Sequence, residues 1–191
     1  MDESKTYTVF AGERLLLAGD LQAMLRGTKQ YIDERERQGT DPSVLIFEDG
    51  TGRQVDFDFR GPEEDVLARA MRSLRAGAGR PRLGVVRREV SLLPRHWDWL
   101  EGQPSGASAA LRRLIDEARK RDPALQRVRQ AIEAAYSFMT ALAGDRPGYE
   151  EATRALYAGD RARFASLIAA WPQDVVCHIE RLATDYFASH A

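Results

Sequence analysis

The sequence predicts an α+β protein of three parts, and three observations carry that prediction. Residues 1–76 contain four short apolar runs in two hairpin-like pairs, and each pair is followed by a helical pattern. Residues 77–121 read as a basic strand-helix-helix segment. Residues 122–191 show helical periodicity with short breaks. We therefore predict an N-terminal ββαββα domain, a central segment and a C-terminal helical bundle.

The first hairpin and its helix are predicted near the N-terminus. Tyr7 to Phe10 and Arg14 to Ala18 are apolar runs that a short glycine-containing turn separates. Asp20 can cap the helix that follows, because its carboxylate can accept from the free backbone N–H groups of the first turn. Apolar residues then recur at helical spacing as far as about Arg37.

A second hairpin follows over residues 43–59. Ser43 to Phe47 and Gln54 to Phe59 are the predicted strands, and Asp49-Gly50 predicts the turn because the glycine readily takes a positive φ. Pro62 then begins a helix with acidic residues in its first turn. We expect an antiparallel sheet with helices on one face.

Asp56 and Asp58 point to the same face of the second predicted strand. They could form a metal or acid-base pair, but solvation of the outer face is the favoured interpretation. The chain has no phosphate-binding loop motif and no Gly-x-Ser-x-Gly elbow, so nucleotide hydrolysis and esterase chemistry have no support. We expect no catalytic residues, no metal and no cofactor, and hence a protein that is not an enzyme.

Charge is distributed unevenly along the chain. Residues 1–74 hold 10 basic and 15 acidic side chains, net −5; residues 75–121 hold 11 and 5, net +6; residues 122–191 hold 7 and 9, net −2. A basic segment between acidic ones indicates an anionic partner or neutralisation by the rest of the protein. The sequence leaves both open.

The basic segment follows a small-residue linker at Ala76 to Pro81. Val86 to Leu92 alternates as a strand would, with Arg87, Glu89 and Ser91 on one side. Pro94 then begins a short helix. Leu93, Trp97 and Leu100 lie along one stripe of it.

A second helix of the segment is predicted after Gly102-Gln103-Pro104. Ser105, Gly106 or Ser108 can cap it. Its apolar face consists of Leu111, Leu114, Ile115 and Ala118, and Arg112 and Arg113 lie outside that face.

The blocks Glu89 to Leu100 and Ser108 to Ala118 give this segment a resemblance to the ribbon-helix-helix family of DNA-binding proteins. In that family two chains pair their strands, and the ribbon enters the major groove of double-stranded DNA. The resemblance implies a homodimer, with Leu111, Leu114 and Ile115 in the dimer core. It implies that the nucleic-acid-binding residues are Arg87, Glu89, Ser91, Ser105, Gly106, Ser108, Arg112 and Arg113.

An alternative interpretation keeps the segment within its own fold. Val86 to Leu92 would pair with the N-terminal sheet, the helices would simply pack, and the tryptophans would be core residues. The protein would then be a non-enzymatic interaction module whose basic segment meets an acidic protein partner or its own acidic domain.

The C-terminal third is predicted to be all helical. Asp122-Pro123 opens a long helix that ends at Gly144-Asp145. Three more helices are predicted to end at Tyr157, Ala170 and Ser189, so that four helices form an antiparallel bundle. Cys177-His178 does not predict a zinc site, because adjacent helical residues diverge and the chain has no other cysteine.

Nearly the whole chain resembles the uncharacterised bacterial domain-of-unknown-function family DUF2239. The blocks that carry the resemblance are Tyr7 to Gly12, Gly79 to Val86, Leu92 to Trp99, Tyr136 to Met139 and Gly159 to Phe164. The resemblance implies no activity. The single cysteine, the lack of a visible secretory signal and the lack of a long apolar run lead us to expect a cytoplasmic protein without a membrane partner.

Overall fold

A four-stranded antiparallel sheet forms from the N-terminal third of the chain, in the order β2-β1-β3-β4. A computed structural model describes residues 5–77, 89–121 and 123–189, apart from the side chains of residues 74–77 and 119–121. The strands are β1 (Thr6–Ala11), β2 (Arg14–Asp20), β3 (Leu45–Glu48) and β4 (Arg53–Val55). The helices of the described residues are α1 (Leu21–Arg37), α2 (Glu63–Gly77), α3 (Pro94–Glu101), α4 (Gly106–Arg121), α5 (Pro123–Ala143), α6 (Tyr149–Tyr157), α7 (Arg161–Ile168), α8 (Gln173–Leu182) and α9 (Thr184–Ala188).

The ββαββα order and the first hairpin are confirmed. Strand β1 pairs antiparallel with β2, and the turn between them contains Gly12 at φ 58°. Asp20 caps α1, because its Oδ1 accepts from the backbone N–H of Ala23 at 2.9 Å.

The second hairpin differs from the prediction in two respects. Its turn takes the positive φ at Gly52 (63°) and not at Gly50, and the Gly52 N–H donates to the Glu48 carbonyl at 2.8 Å. Strand β4 ends at Val55, so the predicted strand to Phe59 is too long. Residues 56–60 nevertheless keep the alternation of exposed and half-buried side chains. Alternating exposure of side chains shows which face of an extended segment is buried, and it does not require pairing with a neighbouring strand.

Both faces of the sheet are covered, so the expectation of helices on one face is wrong. On one face Tyr7, Val9 and Ile46 pack with buried residues of α1 and α2. On the other, Phe10 and Phe47 join the buried residues of α5 to α9. The alternation of side chains along β1 and β3 explains how each strand serves both cores.

Three phenylalanines mark the second of these cores. The ring of Phe138 on α5 lies 5.3 Å from that of Phe10 and 4.7 Å from that of Phe47, measured between centroids. Such separations are typical of favourable aromatic pairs. The sheet and the C-terminal helices therefore share one hydrophobic core.

The C-terminal helices are confirmed with one difference. The predicted last helix, Asp174 to Ser189, is divided into α8 and α9 at Ala183, which adopts φ −84° and ψ 2°. The break allows Tyr186 and Phe187 to be buried with the residues of α8. Five helices in the described residues of this third thus replace the four that were predicted.

The chain divides into two compact units that do not coincide with the three predicted ranges. One unit consists of Met1–Gly77 and Arg127–Ala191, and the other of Ala78–Gln126. The shared core described above is the physical reason that the first and last thirds group together. In the described part of the chain, no helix combines the length and apolar character that crossing a membrane requires.

Candidate functional site

The smaller unit, Ala78–Gln126, includes all eight residues predicted to bind nucleic acid. Pro94 occupies the first turn of α3, where its missing N–H costs no hydrogen bond, and Leu93 precedes it in an extended conformation. The helix ends at Gly102, whose N–H donates to the Asp98 carbonyl at 3.3 Å. These features confirm the predicted short helix.

A tight connection leads from α3 to α4. The Gly106 N–H donates to the Gln103 carbonyl at 3.0 Å, and Gly106 takes φ 72°, a conformation that favours glycine. Ser105 and Gly106 are exposed at the start of α4. The start of this helix is therefore exposed at the position where the resemblance places a phosphate.

Few side chains of this unit are buried. Among its described residues only Leu100 (3% exposed) and Ala110 (2%) are buried apolar side chains. Large apolar side chains that are more than a third exposed occur on both helices and on the chain before them: Val90, Leu93, Trp97, Trp99, Leu114 and Ile115. We call this set the exposed apolar side chains.

An open groove of about 440 Å³ runs between α3 and α4. Its lining consists of Arg95 and His96 together with five apolar residues, Leu92, Trp99, Leu100, Leu111 and Leu114. Leu111 and Leu114 are the residues that the resemblance assigns to a dimer core. A contiguous apolar surface of this kind is typical of a protein-protein contact.

The predicted strand of the segment is not found where it is described. Glu89 to Leu93 forms neither strand nor helix, and Glu89 and Ser91 are exposed. Val86 to Arg88, and with them the predicted base contact Arg87, lie outside the described residues. Trp97 (38% exposed) and Trp99 (51%) are not core residues, which disagrees with the alternative interpretation.

The predicted contacts on α4 fall into two groups. Ser108 and Arg112 lie one turn apart on the same side of the helix, and the Arg112 Nε donates to the Ser108 carbonyl at 3.1 Å. Arg113 points elsewhere: its Nη2 donates to Gln103 Oε1 at 3.3 Å, and its Nε lies 3.9 Å from a Glu117 carboxylate oxygen. Arg112 thus contacts Ser108, whereas Arg113 contacts the turn before α4 through Gln103.

The larger unit contains a polar cluster that the sequence analysis missed. The carboxylate of Asp49, in the β3–β4 turn, accepts from the hydroxyls of Thr6 (2.8 Å) and Thr8 (2.7 Å) on β1. Arg181 on α8 donates to the same carboxylate at 3.0 Å and to Thr8 at 3.1 Å. Burial acts to raise the pKa of Asp49, but the hydrogen bonds from Thr8, Arg181 and Thr6 outweigh it and hold that pKa below its usual value.

His178 completes this cluster as a neutral side chain. Its Nδ1 lies 3.0 Å from the Arg181 guanidinium, which can only donate, so Nδ1 accepts and the ring proton belongs on Nε2. Nε2 is buried without a hydrogen-bond partner among the described residues, and the nearest Asp49 oxygen is 4.0 Å away. Burial, assisted by the charge of Arg181, lowers the pKa of His178 to about 4.

No signal in the sequence could have assembled this cluster. Asp49 reads as a turn residue, and Arg181 and His178 stand more than 120 positions further along the chain. The cluster links strand β1, a turn and helix α8 within one unit. Among the described residues no group of histidine, cysteine or acidic side chains is arranged to hold a metal ion.

Asp58, which the sequence analysis weighed as half of a carboxylate pair, is an ion-pair partner. Arg60 donates to both of its oxygens at 2.9 Å, and the Nε of Arg69 lies 3.4 Å from one of them. Asp56 is exposed beside it. Their positions agree with the favoured interpretation of a solvated outer face.

The fold is that of an α+β protein whose chain divides into two compact units. The chain belongs to the family described as "Uncharacterized protein conserved in bacteria (DUF2239)", whose model matches residues 6–183. Searches of curated proteins and of solved structures returned no match.

Proposed function

We propose that this protein is a cytoplasmic, non-enzymatic DNA-binding regulator, in which two copies of the α3–α4 segment complete one ribbon-helix-helix-like dimer. The observation that carries the proposal is the set of exposed apolar side chains on these helices. It lies in the same unit as the only segment of the chain with a sizeable positive charge.

The size of the buried core supports a partner for this unit. A unit of about this length has difficulty stabilising itself even with a full core, and here the described residues bury only Leu100 and Ala110 completely among their apolar side chains. A second copy would cover Leu114, Ile115 and the groove at once. In the ribbon-helix-helix family the ribbon forms between two chains, so one chain alone would leave its strand residues unpaired. Glu89 to Leu92 form no strand in the described chain.

Charge and helix geometry support DNA as the ligand. Residues 75–121 carry net +6 between two acidic regions. Ser108 and Arg112 follow the exposed N-terminus of α4, which provides backbone donors and a positive dipole end for a phosphate. Arg112 is exposed and bonded only to its own helix among the described groups, so its charge is free to meet a phosphate.

Electrophoretic mobility shifts with genomic DNA fragments at low salt test the proposal. We expect the logarithm of the binding constant to fall linearly with the logarithm of the salt concentration, with a slope of about 0.9 per neutralised phosphate. Arg112→Ala should lower the affinity for all fragments similarly and reduce the salt slope by about one.

Arg72→Ala is the matched control. Arg72 lies on α2 and, like Arg112, donates from Nε to the carbonyl four residues earlier, at 3.3 Å. The Arg72→Ala variant should bind DNA with the same affinity as the unchanged protein. The absence of any shift at low salt, or equal losses in the two variants, would contradict the proposal.

A protein-protein interaction module is the second candidate, and the groove favours it because its lining is mainly apolar. A pull-down that returns a protein partner, unaffected by competing DNA, is the result expected of that function.

A further inference from the structure

We propose that acid dissociates the dimer through His96, which lies in the surface that the second copy covers. This inference rests on the proposed function, since it concerns the regulation of the same α3–α4 surface. Under that proposal a second copy covers the groove between the two helices, and His96 is part of the groove's lining. The charge state of His96 then sets part of the free energy of covering the groove.

The lining around His96 is mainly apolar. Five of its seven residues are apolar: Leu92, Trp99, Leu100, Leu111 and Leu114. In the single chain His96 is exposed, so water can solvate either of its charge states. A charged imidazole that loses this water without gaining a partner costs far more free energy than a neutral one. Covering the groove therefore favours the neutral form.

Arg95 strengthens this preference. Its Nε lies 3.5 Å from the Nε2 of His96. A guanidinium can only donate, so the Nε2 that faces it is an acceptor, which requires an unprotonated nitrogen. A proton on this nitrogen would set two positive charges side by side, and their repulsion grows once the second copy excludes water.

No described carboxylate lines the groove to balance a charge on His96. Five acidic side chains are described on α3, on α4 and on the chain before them, and all lie outside the lining: Glu89, Asp98, Glu101, Asp116 and Glu117. The Glu117 carboxylate lies 3.9 Å from the Arg113 guanidinium, and Arg112 bonds to its own helix. Within the described lining, the one charged neighbour of His96 is therefore the positive Arg95.

Twofold symmetry doubles the effect. A symmetric dimer buries the same surface on both chains, so two copies of His96 lose their water together. Histidine gains its charge between about pH 8 and 5. Because the separate chains can bind these protons and the covered grooves cannot, dissociation takes up about two protons per dimer as the pH falls through this range.

Sedimentation equilibrium of the full chain at pH 7.5 and at pH 5.5, without DNA, tests the inference. We expect the dissociation constant of the dimer to be at least about tenfold higher at pH 5.5, because protons bound by the separate chains must be released on association. Circular dichroism at both pH values verifies that the helices remain folded.

His96→Gln is the variant specific to this residue. Its amide oxygen can still accept a hydrogen bond from Arg95 but does not titrate, so the dissociation constant should be nearly the same at both pH values. His178→Gln is the matched control. His178 belongs to the larger unit, so this variant should keep the pH dependence of association that the unchanged protein shows.

Three results would overturn the inference and leave the proposed dimer intact. The unchanged dimer could be equally tight at both pH values, acid could tighten it, or His96→Gln could show the same pH dependence as the unchanged protein. A chain that is monomeric at both pH values would contradict the proposed function itself, and this inference with it.

Discussion

His178 is a buried imidazole that lies between two phenyl rings and beside a cation. Its ring centroid is 4.4 Å from that of Phe138 and 5.5 Å from that of Phe10. The guanidinium of Arg181 donates a hydrogen bond to its Nδ1, and an Asp49 carboxylate oxygen lies 4.0 Å from its Nε2. The neutral form is favoured first because the ring is buried, and second because protonation would place another positive charge next to Arg181.

This environment predicts that acid destabilises the protein through His178. Its folded pKa of about 4 lies below the value of 6.5 expected in the unfolded chain, so the unfolded state binds the proton first as the pH falls. The contribution of neutral His178 to the free energy of unfolding is therefore fully present above about pH 6.5. It is lost as the pH falls toward about 4, by up to about 3 kcal/mol. Urea unfolding at a series of pH values measures it.

His178→Gln should remove this part of the pH dependence, because the amide can still accept from Arg181 but does not titrate. His96→Gln replaces an exposed histidine of the other unit and should leave the dependence unchanged. Parallel stability curves for the unchanged protein and His178→Gln between pH 6.5 and 4 would contradict the assignment.

At the scale of elements, the turn between β3 and β4 depends on Gly52. Gly52 has φ 63°, and a Cβ at this position would lie 1.8 Å from the carbonyl oxygen of Ala134 on α5. The hairpin therefore packs backbone to backbone against the helix. A side chain there would strain the turn and push the two elements apart.

Gly52→Ala should lower the free energy of unfolding by about 3 kcal/mol, the sum of a left-handed alanine and a forced backbone shift. Gly50→Ala is the matched control, because Gly50 has no positive φ and nothing lies within 4 Å of its added Cβ. Chemical denaturation of the two variants measures the difference. Equal stabilities would show that the close approach of the turn to α5 is not a constraint.

The elements that the sequence predicted well have local causes. Asp20 and Pro94 act through the first turn of the helix that they begin, so the residues around them are sufficient to place α1 and α3. The turn at Asp49 and the end of β4 were predicted less well. Gly52 packs against Ala134 and Asp49 is hydrogen-bonded to Arg181, and both partners are distant in the chain. Such tertiary demands override local preference.

The candidate sites show the same division. Periodicity placed Leu111, Leu114 and Arg112 on their faces of α4, since a helix fixes which residues share a side. The Asp49 cluster could not be predicted, because it combines residues of separate elements. The same holds for a cleft of about 550 Å³ between α1 and the chain after β4. Phe57 and Phe59 read as strand residues, and only the fold brings them to α1.

At the scale of the whole molecule, the two compact units differ in how they bury apolar surface. The larger unit has continuous cores on both faces of its sheet. The described part of the smaller unit buries two apolar side chains and exposes Trp97, Trp99 and Ile115. A protein whose stability is marginal overall does not usually leave such a surface in water without a partner. We propose that this partner is a second copy of the chain.

Sedimentation equilibrium at micromolar concentration tests this claim most directly. We expect twice the chain's mass of 21.4 kDa for the unchanged protein and for Arg112→Ala, which removes an exposed side chain that bonds to its own helix. We expect a monomer for Ile115→Glu, because Ile115 is 56% exposed and a charge there would be buried only in the dimer. A monomeric unchanged protein, or an Ile115→Glu variant that remains dimeric, would contradict it.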